Sequence, residues 1–120
     1  MNEVVLDLSA LKVDDLRALH LGAQVMHYRA DLAAQPRVAA FFAALGRGVD
    51  DELARRVRAH DPRGGSISLT FGEPSDGADE PFEDRRLLAE HLNILGGNPR
   101  LSVAVRSACT SMSDQLLRVH

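Results

Sequence analysis

The chain has 120 residues, 45% of them apolar and 26% charged, with a formal charge of −3. That size suits one domain burying about two thirds of the surface its unfolded form exposes, so a core requires neither disulfides nor metal. The longest apolar run, Val38 to Leu45, is eight residues and half alanine, against the ~20 that a membrane span requires, so no membrane partner is expected.

The single cysteine, Cys109, has no intramolecular partner to bridge to. Met1, Asn2, Glu3, Val4, Val5, Leu6 and Asp7 lack the basic start and apolar run of a secretory signal, and the expectation is a cytoplasmic protein. Thirteen arginines against one lysine reflect the codon bias of a GC-rich genome more than a need for guanidinium chemistry. Tryptophan is absent and phenylalanine plus tyrosine total five, too few aromatics to interleave with basic residues and stack bases, so nucleic acid is not an expected partner.

Val4, Leu6 and Leu8 alternate with Glu3, Asp7 and Ser9 as in a short strand. From Val13 a helical period places Leu16, Leu19, Ala23, Met26, Ala30 and Ala33 on one face. Pro36 ends that helix and suits the first turn of the next, on which Val38, Phe41, Phe42, Leu45 and Val49 form a stripe. Gly46-Arg47-Gly48 predicts a break, since each glycine costs about 1 kcal/mol within a helix. Asp50 would then cap a further short helix carrying Leu53 and Val57, with Asp51–Arg55 and Glu52–Arg56 as ion pairs one turn apart.

Asp61-Pro62-Arg63-Gly64-Gly65 reads as a loop, and Ser66-Ile67-Ser68-Leu69-Thr70-Phe71 as a strand that pairs with residues 3–8 and lays Ile67, Leu69 and Phe71 on the helices. Gly72 to Glu80 reads as a mobile connection, and Glu73 to Asp84 holds six acids and no base. A helix after Pro81 has Leu87, Leu88, His91, Ile94 and Leu95 in one stripe and stops at Gly96-Gly97. Asn98-Pro99 predicts the start of the last helix, whose apolar face is Leu101, Val105, Ala108, Met112, Leu116 and Val119. The expected fold is α+β and mainly α: four to five helices packed as a small bundle with a minor two-stranded sheet, in the order β-α-α-α-β-α-α. It forms a single domain over residues 1–120, with a mobile acidic connection at about 72–81.

The first helix carries more apolar surface than one partner covers. Leu21, Val25, Tyr28 and Leu32 recur on a second face roughly 140° from the first. Either this helix is central, packed on both sides, or the second stripe is a homodimer or partner interface, with Val103 and Leu117 joining it. Between the stripes His20, Gln24, His27 and Asp31 run down a polar wedge, the edge that any solvated helix also shows. His27 and Asp31 lie one turn apart, close enough to hold a divalent ion together, whereas His20 and His27 are ~10.5 Å apart.

His91 sits within an apolar stripe and is predicted to be buried. A core histidine bonded to a carbonyl or hydroxyl is the expectation, with Asp84 or the last helix's hydroxyls as its nearest side-chain partners, and a ligand-pocket or pH-sensing role is the competing one. Cys109, beside Ser107, Thr110 and Ser111, reads as small core filler. Gly46-x-Gly48 and Gly64-Gly65 lack the flanking pattern of phosphate loops. Arg55, Arg56, Arg58 and Arg63 form a basic cluster that the acidic 73–84 segment is expected to cover.

The functional expectation is therefore a small cytoplasmic interaction or regulatory module, a homodimer through the first helix with an unknown protein partner. The alternative is a small-molecule or metal-binding protein, an enzyme among the options, whose polar pocket draws on His20, Gln24, His27, Asp31 and His91. No catalytic residue and no cofactor are predicted.

Overall fold

A computed structural model describes residues 3–9, 11–59, 66–70 and 81–118, with side chains over 4–9, 11–58 and 86–117. Its elements in chain order are β1 (Glu3–Asp7), α1 (Val13–Leu32), α2 (Pro36–Ala59), β2 (Ser66–Thr70), α3 (Pro81–Gly96) and α4 (Val103–Arg118). The chain is mostly helical, and its radius of gyration of 14.0 Å is close to the roughly 13.6 Å expected of a compact chain of this length.

α1 packs mainly against α2, and α3 against α4. Both connections are short, which makes each pair antiparallel. On α1 the core face is Leu16, Leu19, Ala23, Met26 and Ala30; on α2 it is Val38, Phe41, Phe42, Leu45 and Val49, all buried. Ala33, the C-cap of α1, is exposed.

The predicted break at Gly46-Arg47-Gly48 does not occur, and the order among the described residues is β-α-α-β-α-α. The helical propensity lost at two glycines is about 2 kcal/mol. A continuous stripe that buries Phe42, Leu45 and Val49 outweighs it, at about 1.5–3 kcal/mol per side chain. Val57 is 68% exposed; the apolar stripe continues instead into Glu52 and Arg56, both buried.

Arg56 is buried and hydrogen-bonded to three partners among the described residues. Its Nε donates to Glu52 Oε2 at 2.8 Å, its Nη2 to the Leu8 carbonyl at 2.8 Å and its Nη1 to the Leu11 carbonyl. Arg55 also turns to Glu52, through Nε at 2.9 Å and Nη2 at 2.7 Å, rather than to Asp51 as the one-turn spacing predicts. Leu8 and Leu11, on the link from β1 to α1, are thereby fastened to α2.

β1 pairs antiparallel with β2, Val4 opposite Leu69 and Leu6 opposite Ile67. Val4, Leu6 and Leu8 are buried while Val5 and Asp7 face outward. The Gln115 side chain of α4 closes the other edge of β1, accepting the Val5 N–H at 2.9 Å and donating to the Val5 carbonyl at 2.8 Å. The side chains of Ile67 and Leu69, the Gly72–Glu80 connection, Phe71, Arg63 and Val119 lie outside the described residues.

α4 begins four residues later than Asn98-Pro99 predicts. Asn98 Oδ1 accepts the Arg100 N–H at 3.0 Å and so shapes a turn, and Ser102 takes the cap, accepting the Val105 N–H at 3.2 Å. Ser102 also donates to Asp15 Oδ1 at 2.7 Å, while Asp15 Oδ2 accepts the Lys12 N–H at 3.0 Å. One carboxylate thus ties the starts of α1 and α4, and these hydrogen bonds, Lys12 first, hold its pKa below the ordinary value.

α1 ends in a Schellman turn, with Gln35 N–H donating to the Ala30 carbonyl and Ala34 N–H to the Asp31 carbonyl. Ala34 occupies the left-handed position at φ 56°, where glycine avoids a steric cost of about 1–2 kcal/mol. Ala34→Gly should therefore raise unfolding stability by about 0.5–1 kcal/mol after its chain-entropy cost, and Ala34→Val should lower it; urea denaturation checks both.

Glu52 is held at a pKa of about 2, below the ordinary 4.5, by the Arg55 and Arg56 hydrogen bonds and charges acting against burial. A carboxylate with a depressed folded pKa stabilises the fold above its unfolded value, and that contribution is lost as pH falls from about 4.5 toward about 2. Glu52→Gln should cost about 3–5 kcal/mol at neutral pH, because Arg56 is left buried without a counter-charge. It should also flatten the acid limb of the stability–pH curve; an unchanged limb would contradict the assignment.

Candidate functional site

An open cleft of about 420 Å³ lies between α1 and α2. α1 contributes His20, Gln24, His27 and Tyr28; α2 contributes Phe42, Ala43, Gly46, Arg47 and Asp50. The three wedge residues converge because i, i+4 and i+7 share one side of a helix, adjacent here to the face that α1 buries on α2. Gly46 keeps the floor low: a Cβ there would lie 3.8 Å from Ala23 Cβ and 3.9 Å from His20 Cδ2.

His27 is half-buried, and its Nδ1 lies 3.0 Å from the Ala39 carbonyl. A carbonyl only accepts, so the neutral ring carries its proton on Nδ1 and leaves Nε2 as an acceptor. His20 is half-buried and has no hydrogen-bond partner among the described residues. Asp31 is exposed and is not among the residues lining the cleft. No group of three histidine, cysteine, aspartate or glutamate side chains converges as metal ligands among the described residues.

His91 does not join this cleft. It is half-buried rather than buried, because α3 is rotated from its predicted setting: Leu88, Ala89, Leu92 and Leu95 face the core while Ile94 is 49% exposed. Its Nδ1 donates to the Leu87 carbonyl at 2.8 Å, one turn back on its own helix. The Asp84 side chain lies outside the described residues. His91 meets the cleft only through Phe42, whose ring centroid is 6.3 Å from its own. The polar pocket is therefore built from α1 and α2 and not, as the sequence predicts, from α1 and α3.

The second stripe of α1 is open. Leu21, Val25, Tyr28 and Leu32 are 62%, 46%, 63% and 70% exposed, so α1 is not covered on both sides among the described residues. Val103 and Leu117 on α4 are exposed as well. α3 borders this face at Gly22, where a Cβ would come within 2.6 Å of Leu95 Cδ1.

Cys109 is fully buried against Gly96, and burial raises its thiol pKa to about 11, away from the thiolate a nucleophile needs. A larger concavity, about 510 Å³, follows α4 past Ser107, Ser111 and Asp114. Several of its polar groups are already engaged: Arg106 with the Gly96 carbonyl, Thr110 with the Arg106 carbonyl and Gln115 with Val5. Among the described residues no helix is long and apolar enough to cross a membrane.

No family model, curated protein or solved structure matches the chain. Sequence reasoning found the α1 side of the cleft but missed Gly46 and Arg47, which it assigned to a break, and Asp50, which it assigned to the cap of a further short helix. The i, i+3 spacing of Arg47 and Asp50 becomes a signal only once α2 is continuous.

Long-range proton–nitrogen correlation spectra, recorded well above the ordinary imidazole range, should show the Nδ1–H tautomer at both His27 and His91. An Nε2–H tautomer at His27 would contradict the Ala39 hydrogen bond.

Proposed function

We propose that this chain is a small protein–protein interaction module of the cytoplasm that pairs with a second copy of itself through α1, on a helical bundle bearing a two-stranded sheet. The observation that carries this reading is the open stripe of Leu21, Val25, Tyr28 and Leu32 on a helix whose opposite face is fully buried. The stripe is about 16 Å long and self-complementary about a two-fold axis. In an antiparallel pairing centred between Val25 and Tyr28, Leu21 meets Leu32 of the second copy and Val25 meets Tyr28, a small side chain against a large one.

Gln24 and Arg29 then face each other at the margins without opposing like charges. Two such stripes make a small interface, so the dimer is expected to be micromolar rather than tighter. The competing reading, a small-molecule binding protein, is supported by the α1–α2 cleft and draws nothing from His91.

Light scattering at tens of micromolar should report a dimer for the natural chain. The double substitution Val25→Glu with Tyr28→Glu should give a monomer with an unchanged circular dichroism spectrum, because both side chains project from the outer face. A monomeric natural chain would overturn the reading.

A further inference from the structure

We propose that the α1–α2 cleft binds an aromatic α-amino acid whose ring bears a hydrogen-bond donor, with its charged head between Arg47 and Asp50 and its ring extended toward His27. Arg47 and Asp50 are exposed, lie three residues apart on α2 and line the cleft, yet they do not pair with each other among the described residues. The order arginine then aspartate is the weaker orientation for an ion pair along a helix, which leaves one cation and one anion side by side at the cleft wall. A zwitterion supplies a carboxylate to the first and an ammonium to the second. A polyanion would meet one cation and be repelled by Asp50.

The far end of the cleft has a different character. His27 has its Nδ1 against the Ala39 carbonyl, so in the neutral ring Nε2 is the acceptor for an N–H or O–H. α1 and α2 run antiparallel, and Gly46 faces Ala23 and His20, so Arg47 and Asp50 belong to the His20 end. His20 and His27 are two helical turns, about 10.5 Å, apart, a span suited to an amino acid with an indole or phenol side chain. The floor between them is apolar, formed by Phe42, Ala43 and Gly46, and the volume falls in the range of small-molecule sites.

Tyr28 borders both the cleft and the self-association stripe, but this proposal does not rest on dimerisation. The test is therefore run on the natural chain and on Val25→Glu, a substitution outside the cleft. Two-dimensional amide spectra are titrated with L-tryptophan, and with L-phenylalanine and N-acetyl-L-tryptophanamide as comparisons.

Saturable shifts are expected around His20, Gln24, His27, Gly46, Arg47 and Asp50 in both proteins. Arg47→Gln and Asp50→Asn should each weaken tryptophan binding about tenfold, the loss of one charge-assisted hydrogen bond. His27→Phe should erase the preference for tryptophan over phenylalanine.

The proposal is overturned by the absence of saturable shifts at about 10 mM tryptophan, by shifts scattered over the surface, or by equal binding of the uncharged amide. It is also overturned if Arg47→Gln and Asp50→Asn both bind like the natural chain. Tryptophan binding to a chain that proves monomeric would leave this proposal standing and remove only the self-association reading.

Discussion

The buried guanidinium of Arg56 fixes the rest of the arrangement. It joins the Glu52 carboxylate one turn back on α2 to the carbonyls of Leu8 and Leu11 at either end of the link between β1 and α1. Both carbonyls lie outside the strand ladder and the helix; that of Leu8 also accepts the Leu11 N–H at 3.1 Å, whereas burying the Leu11 carbonyl without a donor would cost about 1–3 kcal/mol. A buried ion pair contributes little net stability against an apolar replacement, but it accepts one geometry only. Here that geometry sets where β1 ends and where α1 starts relative to α2. The Ala34 turn closes the other end of α1, and the apolar stripe between the two ends turns inward.

That setting of α1 produces two surfaces. The face with Leu16, Leu19, Ala23, Met26 and Ala30 is spent on the core, and the small Gly22 lets α3 come close beside it. What remains outside is a polar flank, which with α2 makes the cleft, and an apolar flank without a partner among the described residues. The two meet at Tyr28. A second copy seated on the stripe would therefore rim the cleft, so the proposed ligand binding and the proposed self-association would share one side chain.

The core stripes of α1 and α2 were legible in the sequence because a helical period of large apolar side chains leaves little choice of inward face. The continuity of α2 was not, since two glycines argue locally for a break and only tertiary burial overrides them. The one-turn spacing predicts the Glu52–Arg56 pair but not its burial or its reach to Leu8 and Leu11. A signal of that burial was present, for Leu45, Val49, Glu52 and Arg56 follow the spacing i, i+4, i+7 and i+11 of a core stripe. The setting of α3 was misjudged because His91 and Leu92 are neighbours, and choosing one of them for the core turns the helix by about 100°. The wedge of His20, Gln24 and His27 was visible as a pattern, but its α2 wall depends on the register between two helices. The Gln115–Val5 contact joins residues 110 apart and has no local trace.

The central claim is that the outer face of α1 is where this chain meets its own copy, antiparallel and centred near Val25 and Tyr28. Pulsed electron–electron resonance on a chain with Cys109 replaced by alanine and a single nitroxide at exposed position 17 tests it directly. The antiparallel pairing places the two labels about 30 Å apart along the helix axes, so one narrow distance distribution near that value is predicted. A distance near 10 Å, as in a parallel pair, or no dipolar coupling at all would contradict the account.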